Sequence, residues 1–303
     1  MKNQTIPHTD LQVSPLCLGT MTFGTPVGEA EAVKLMHQAL DRGVNFIDTA
    51  NAYEGYTRFV GSPGGITERI VGQALKGRRD RYVVATKMGM KVGSGPEDEY
   101  CSPAAIRKQL DLSLQRLGID RIDLYYMHRP DPTTPLVDMV GALAEAIKAG
   151  KIRHYAVSNY SAAQLRELLA VADQAGLPRP VAHQPPLGLL KPEVTADLLP
   201  LCAKEQIAIV PYNVLQGGLL TGKYRRGQPP PPGSRKAEKD GWVWALEDTL
   251  FDKLEKFEAE AKEVGHSMTQ HALRWALHQP AVVSLILGIK RLDQLEEAIA
   301  AIA

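Results

Sequence analysis

The chain is poor in the features that mark several large protein classes. It has three cysteines in 303 residues, Cys17, Cys101 and Cys202, far apart and with no CxxC or Cys/His spacing. That pattern excludes a disulfide framework and a zinc-binding motif, and leaves free or buried thiols in a reducing cytoplasm as the expectation. The formal net charge is only +1, so nothing points to a nucleic-acid surface or a membrane patch. No run is long and apolar enough to span a bilayer, and the first sixteen residues lack the apolar core of a secretory signal. No internal repeat of solenoid period is present. No GxGxxG opens a helix after an early strand, which weakens the case for an open, doubly wound sheet. No HxH or carboxylate–His cluster sits at a strand end, so no metal is expected and a metal-dependent hydrolase is disfavoured.

What is present is a strict alternation. Apolar, β-branched runs of strand length are followed by segments of helical period, predicted near 29–42, 67–77, 103–117, 135–149, 161–175, 192–205, 248–264 with 268–278, and 291–301. Eight β-then-α units with buried strands imply parallel pairing under a helical layer, and eight can close on themselves. The expected fold is therefore an α/β protein, a single-domain (β/α)8 TIM barrel over residues 1–303. Ser102 before Pro103, and Ser161 before an apolar-periodic run, read as helix N-caps, while Gly43, Gly77, Gly118, Gly150 and Gly176 fall where helices should stop. Three connections on the strand-exit side look longer than needed, near 51–66, 88–102 and 222–247, and long loops there often form lids or substrate walls.

Several of these strands end on reactive side chains. "VNFID" ends on Asp48 with Tyr53 just beyond, "YVVATK" ends on Lys87, and "DLYYMH" ends on His128. Active sites of (β/α)8 barrels are assembled from the C-terminal ends of several strands, so these four residues are expected to share one rim. A phenol keeps its proton at neutral pH and can give it to a carbonyl oxygen gaining negative charge. Lys87 is expected to lower the phenol's pKa, Asp48 to balance Lys87, and His128 to orient the carbonyl or share the proton. None of these side chains can deliver a hydride, whereas a nicotinamide cofactor can.

Read as text, the chain resembles the aldo-keto reductase superfamily along nearly its whole length. The matching segments are "LGTMTFG", "GVNFIDTANAY", "VVATK", "LYYMHRPD", "GKIRHYAVSNYS", "PYNVLQGGLLTGKY" and "LGIKRLDQLEEA", in that order. The resemblance implies a carbonyl reductase using NADPH/NADP+, with NADH the less favoured cofactor. It implies Tyr53 as general acid supported by Asp48, Lys87 and His128. Ser158, Asn159 and Gln184 would hold the nicotinamide carboxamide, and Tyr212 would stack on the ring. Backbone around Leu215, Gly217 and Leu219, with Lys223 close by, would line the pyrophosphate. Gly288, Lys290 and Gln294 would meet the adenosine phosphate. The chain departs from the family's pattern at Leu187-Gly188, which removes bulk near the carboxamide, and at Ala298, where the family writes Asn.

The expected function is NADPH-dependent reduction of an aldehyde, ketone or sugar-like carbonyl to an alcohol in the cytoplasm, with a small-molecule partner. The alternative is a cofactor-binding regulatory subunit of the same fold with little turnover. Arg58, Arg129 and Asp131 at the rim hint at a hydroxylated or charged substrate, and Tyr56, Arg58 and Phe59 are placed to cover it.

Overall fold

The computed structural model describes residues 1–302. A two-stranded antiparallel hairpin comes first, β1 (Gln4–Thr5) and β2 (Gln12–Val13). Eight parallel strands follow: β3 (Leu16–Gly19), β4 (Phe46–Asp48), β5 (Val83–Met88), β6 (Ile122–Met127), β7 (Ile152–Ser158), β8 (Ala182–Gln184), β9 (Ala208–Ile209) and β10 (Leu285–Gly288). Their spatial order is β10-β3-β4-β5-β6-β7-β8-β9. The seam between β9 and β10 is closed by backbone bonds from Ile209 N to Ala281 O (2.7 Å), Val283 N to Ile209 O (3.0 Å) and Ile286 N to Pro211 O (2.9 Å). The expected (β/α)8 barrel is therefore what the chain forms, and closure removes the free strand edges.

The outer layer consists of α1 (Glu29–Asp41), α2 (Ile66–Leu75), α3 (Pro103–Leu117), α4 (Leu136–Lys148), α5 (Ala162–Ala175), α6 (Val194–Lys204), a four-residue α7 (Arg235–Glu238), α8 (Asp248–Glu263), α9 (Met268–Leu277) and α10 (Leu292–Ile302). Predicted boundaries hold to within about two residues where caps are strong. Ser102 Oγ accepts from Ala105 N ahead of Pro103, and Ser161 forms a capping box with Gln164. The one feature of the N-terminal stretch that patterning did not reveal is the hairpin. Its Ile6, Leu11 and Val13 are buried against the barrel interior and stopper its lower end. All three cysteines are free and buried, as expected.

Period-two alternation sorts each strand into two faces. Outward residues such as Leu18, Ile47, Tyr125 and Val157 join the large core beneath the helices. Inward residues form a second cluster: Cys17, Phe46, Val83 with Ala85, Leu124 with Tyr126, Ala156, Ala182, Ala208 with Val210, and Ile286. One step of two further along each strand lie Gly19, Asp48, Lys87, His128, Ser158, Gln184, Tyr212 and Gly288. The rim set thus continues the inward series past the apolar plug. Strand β3 contributes only a glycine there. A Cβ on Gly19 would come within 2.8 Å of Ile286 Cγ2.

One buried histidine faces the other way. On β8, His183 is inaccessible to solvent, with Nε2 3.0 Å from the Tyr160 carbonyl. Burial pulls its pKa from 6.5 down to about 4, against the opposing effect of the Tyr160 carbonyl bond. A folded-state value below the unfolded one gives stability that is complete above pH 6.5 and is lost as the pH falls through about 4. The loss should be about 3 kcal/mol, at ~1.36 kcal/mol per pKa unit. Melting temperatures of the wild type and His183→Gln across pH 4–7 should converge in acid. Parallel curves would sink this assignment.

Among the described residues no helix is long and apolar enough to cross a membrane. No group of three or more His, Cys, Asp or Glu able to hold a metal is found among them.

Candidate active site

The site is built around Lys87, which is wholly buried at the end of β5. Its ammonium donates to Asp48 Oδ1 (2.5 Å), to Thr49 O (2.8 Å) and to the Tyr53 hydroxyl (3.2 Å). All three N–H donors are therefore committed. The second oxygen of Asp48 accepts from Gln184 Nε2 at 2.9 Å, so each carboxylate oxygen has a partner. This is the condition under which a buried ion pair is tolerable. Lys87 also lies 4.8 Å from the centroid of the Tyr53 ring, and that ring meets His128 edge-on at 5.8 Å and 77°. The four residues expected to share a rim are together.

The electrostatics differ from the expectation in one respect. Burial raises the Tyr53 pKa above 10; Lys87 opposes this and Asp48 reinforces it, and the net shift is upward. The cation tempers the desolvation without overcoming it, so the phenol keeps its proton firmly. Lys87 itself is raised: burial pulls it down, but Asp48 and Tyr53 outweigh burial, and it stays charged. For His128, burial pushes the pKa well below 6.5, with Lys87, Arg58 and Arg129 adding to the push. Its imidazole is neutral at pH 7, and its Nδ1 is buried without a partner.

Tyr53 is positioned by its own loop. Asn51 N donates to Lys87 O, Gly65 N to Asn51 O, and Thr67 N to Tyr53 O, which folds the 51–66 segment back onto α2. Gly64 is required at the return. Its φ is +69°, and a Cβ there would lie 2.1 Å from Asn51 O. Glu54, next to Tyr53 and buried, ties the same return by accepting from the Ser62 hydroxyl and from Gly64 N (3.1 Å). The sequence gives no periodic or motif signal for that role. Arg58 bonds Ser62 Oγ (2.7 Å) and Lys91 O (2.8 Å), Arg129 pairs with Glu99 (2.6 Å), and Asp131 accepts from Cys101 N (2.8 Å). These three residues bind the 51–66 and 88–102 loops and the segment after β6 to one another, rather than standing free for a substrate.

On the opposite wall, Ser158 Oγ donates to Gln184 O (2.8 Å) and Asn159 Nδ2 donates to His128 O (2.8 Å) and Ser158 Oγ (3.0 Å). Asn159 adopts φ +62°, uncommon for a non-glycine residue, and its Oδ1 accepts from Tyr212 OH at 2.9 Å. Ser158, Asn159, Gln184 and Tyr212 therefore form one hydrogen-bonded wall beside the tetrad. Gly188 does not open that wall. The space a Cβ would take is filled by the Gln216 side chain, 2.6 Å away, whose Oε1 accepts from Leu190 N (2.8 Å). Ala298 faces the apolar core beneath the helices.

Beyond Tyr212 the chain makes a 3-10 turn over Gln216–Thr221, with Gly217 and Gly218 at φ +70° and +93°. Leu219 sends its side chain into a third apolar cluster with Tyr224, Val243 and Phe251; Leu215 packs at the edge of that cluster. A Cβ on Gly218 would sit 2.8 Å from Lys223 Nζ, and one on Gly288 3.6 Å from Arg235 Nη2. Burial lowers the Lys223 pKa, and repulsion from Lys290, Arg291 and Arg235 lowers it further. Four cations from three segments thus converge over two glycine-lined backbones, which is an arrangement for a polyanion. Gln294 Oε1 accepts from Lys290 N (2.9 Å) and fixes the start of α10. The 222–247 segment is not an inert excursion: Trp242 packs edge-on to Tyr56 at 5.4 Å. A polar groove of about 680 Å³ at the lower end of the barrel lies far from these residues, and Arg79 and Arg153 in its lining both pair with Asp123.

A closed parallel barrel with a lysine–carboxylate–phenol set at its strand exits defines a class of barrel oxidoreductase. The aldo/keto reductase family profile matches residues 15–303, and the chain belongs to that family. It is 34% identical to an uncharacterized oxidoreductase of Bacillus subtilis, over 97% of this chain and 89% of that one. It is 33% identical to a probable voltage-gated potassium channel subunit beta of Oryza sativa, over 98% and 90%. It is 31% identical to the L-glyceraldehyde 3-phosphate reductase of Escherichia coli, over 88% and 78%.

Proposed function

We propose that the protein reduces an aldehyde, ketone or sugar-like carbonyl to an alcohol with NADPH, and that Tyr53 supplies the proton. The observation that carries this reading is the Lys87 ammonium, whose three donors run to Asp48, Thr49 O and the Tyr53 hydroxyl. A buried cation is costly, and here it is spent on holding one phenol at the barrel mouth. The residues present fit a nicotinamide dinucleotide. The wall of Ser158, Asn159, Gln184 and Tyr212 offers amide groups and an aromatic face beside Tyr53. The cations around Lys223 and Lys290, over Gly217, Gly218 and Gly288, suit its phosphates.

When bound, reduced nicotinamide supplies the hydride to the carbonyl carbon. The chain's own residues handle the oxygen. Tyr53 donates its proton to the developing alkoxide, and Lys87 stabilises the phenolate left behind. Neutral His128 directs an N–H at the same oxygen, which requires the Nε2–H tautomer and leaves Nδ1 bare, in keeping with that atom's lack of a partner. Asp48 keeps Lys87 charged and in place.

The experiment is to mix the protein with NADPH and a panel of aldehydes, ketones and phosphorylated sugar aldehydes and follow nicotinamide absorbance. Saturable oxidation of NADPH is expected. The likeness to the rice protein named as a channel subunit makes the regulatory reading the alternative. Tight NADPH binding, no turnover across the panel and a stable membrane-protein partner would establish it instead.

A further inference from the structure

The nucleotide-binding reading leaves one carboxylate unexplained. Lys290, the cation expected to meet an adenosine phosphate, donates to Glu238 Oε2 and to Gly233 O, both at 2.7 Å. The pair is partly shielded, with side-chain exposures of 17% and 28%. Glu238 is not on a loose loop. It is the last residue of α7, which Ser234 caps through Ala237 N (3.3 Å). Two residues before it, Lys236 Nζ holds Val243 O (3.2 Å), and Tyr224 OH accepts from Lys236 N (3.3 Å). Lys239 lies 6.0 Å from the Tyr56 ring centroid and 5.8 Å from that of Trp242. The strap carrying Glu238 is thus fastened at both ends over Gly217, where a Cβ would meet Val243 Cγ2 at 3.0 Å.

The neighbouring cations make the pairing selective. Among the described residues neither Lys223 nor Arg235 forms an ion pair, and Arg291 is tied to Asp293. Lys290 is the member of the cluster tied to a carboxylate of the strap. A ribose 2′-phosphate carries about −1.5 to −2 charge at neutral pH. Seated on Lys290, it would take the ammonium's third N–H, share the cation with the strap's two acceptors, and face the Glu238 carboxylate at close range. A ribose 2′-hydroxyl carries no charge and can donate a hydrogen bond to that carboxylate.

We propose that Glu238 is a specificity-determining residue that weakens the preference for NADPH over NADH by competing with the 2′-phosphate for Lys290. This rests on the nucleotide-binding reading above. Glu238→Gln removes the charge and keeps the shape. It should tighten NADPH binding by about tenfold, an effect of ~1.4 kcal/mol, and leave NADH binding unchanged or weaker. Binding is read directly, by titrating each nucleotide against protein fluorescence, without substrate. In a Lys290→Met background the same substitution should discriminate less between the two nucleotides, because the cation competed for is gone and only direct repulsion of the phosphate remains. Melting temperatures of the variants without nucleotide establish that each is folded. If Glu238→Gln shifts both nucleotides equally, or neither, the proposal is overturned while the nucleotide-binding reading stands. If the wild type binds neither nucleotide, both fall together.

Discussion

Replacing Tyr53 by phenylalanine is expected to lower kcat for carbonyl reduction by a factor of about 10²–10⁴ and to leave nucleotide affinity unchanged. The substitution keeps the ring that packs edge-on to His128 and lies beside the Lys87 ammonium. It deletes only the hydroxyl, and with it one of the three acceptors around Lys87; Asp48 Oδ1 and Thr49 O remain. The cost to folding is therefore a single hydrogen bond, about 1 kcal/mol, too little to account for a hundredfold loss of rate by unfolding. The wall expected to hold the nicotinamide is bonded within itself, to His128 O and to Asp48, not to Tyr53. Stopped-flow absorbance and a fluorescence titration on the same preparation separate the two effects. Wild-type turnover in the variant would mean that the proton comes from elsewhere, with His128 the nearest candidate.

The pH dependence follows from the same shifts. Tyr53 is raised above 10, so its proton is present throughout the neutral and mildly alkaline range. His128 is held well below 6.5, so its imidazole does not change charge there either. The rate of reduction should therefore be flat from about pH 7 to 9. A limb falling through neutrality would contradict the assignment of acid and orienting group.

The sequence made the tetrad legible because its members obey two rules at once. Each of Asp48, Lys87 and His128 sits two residues past an inward-facing apolar side chain, at Phe46, Ala85 and Tyr126, and each lies at or beside the C-terminal end of its strand. Parity and strand ending are local, so patterning finds them. The direction of the Tyr53 shift was not legible, because it depends on how much water the folded mouth excludes, and no spacing reports that. The hairpin of β1 and β2 escaped for a related reason. Its buried residues Ile6, Leu11 and Val13 make too short a pattern to stand out, and they are held by the floor of a barrel assembled from distant strands. Glu54, Gln216 and Glu238 were missed because each acts through a polar contact across a loop, on Gly64, Leu190 and Lys290 respectively. Loop closure of this kind leaves no periodicity. Gly188 shows the hazard of reading such a position alone: the bulk it lacks is supplied by Gln216.

Lys87→Met should be the most damaging single change to both folding and activity, and a second substitution separates the two losses. Methionine fills much of the same volume but leaves the buried Asp48 carboxylate with only the Gln184 amide among its present side-chain partners. Removing one member of a buried pair typically costs about 3–5 kcal/mol, because the remaining charge is stranded away from water. Lys87 is raised above 10.5, so its contribution is complete below that and is lost only as the pH climbs through the raised value. Adding Asp48→Asn to Lys87→Met removes the stranded charge and should recover most of the melting temperature. It restores no cation beside Tyr53, so turnover should stay at the level of the single variant. Recovery of both stability and rate in the double variant would show that Lys87 only repairs the charge of Asp48. Recovery of stability alone would tie the ammonium to the chemistry at the phenol.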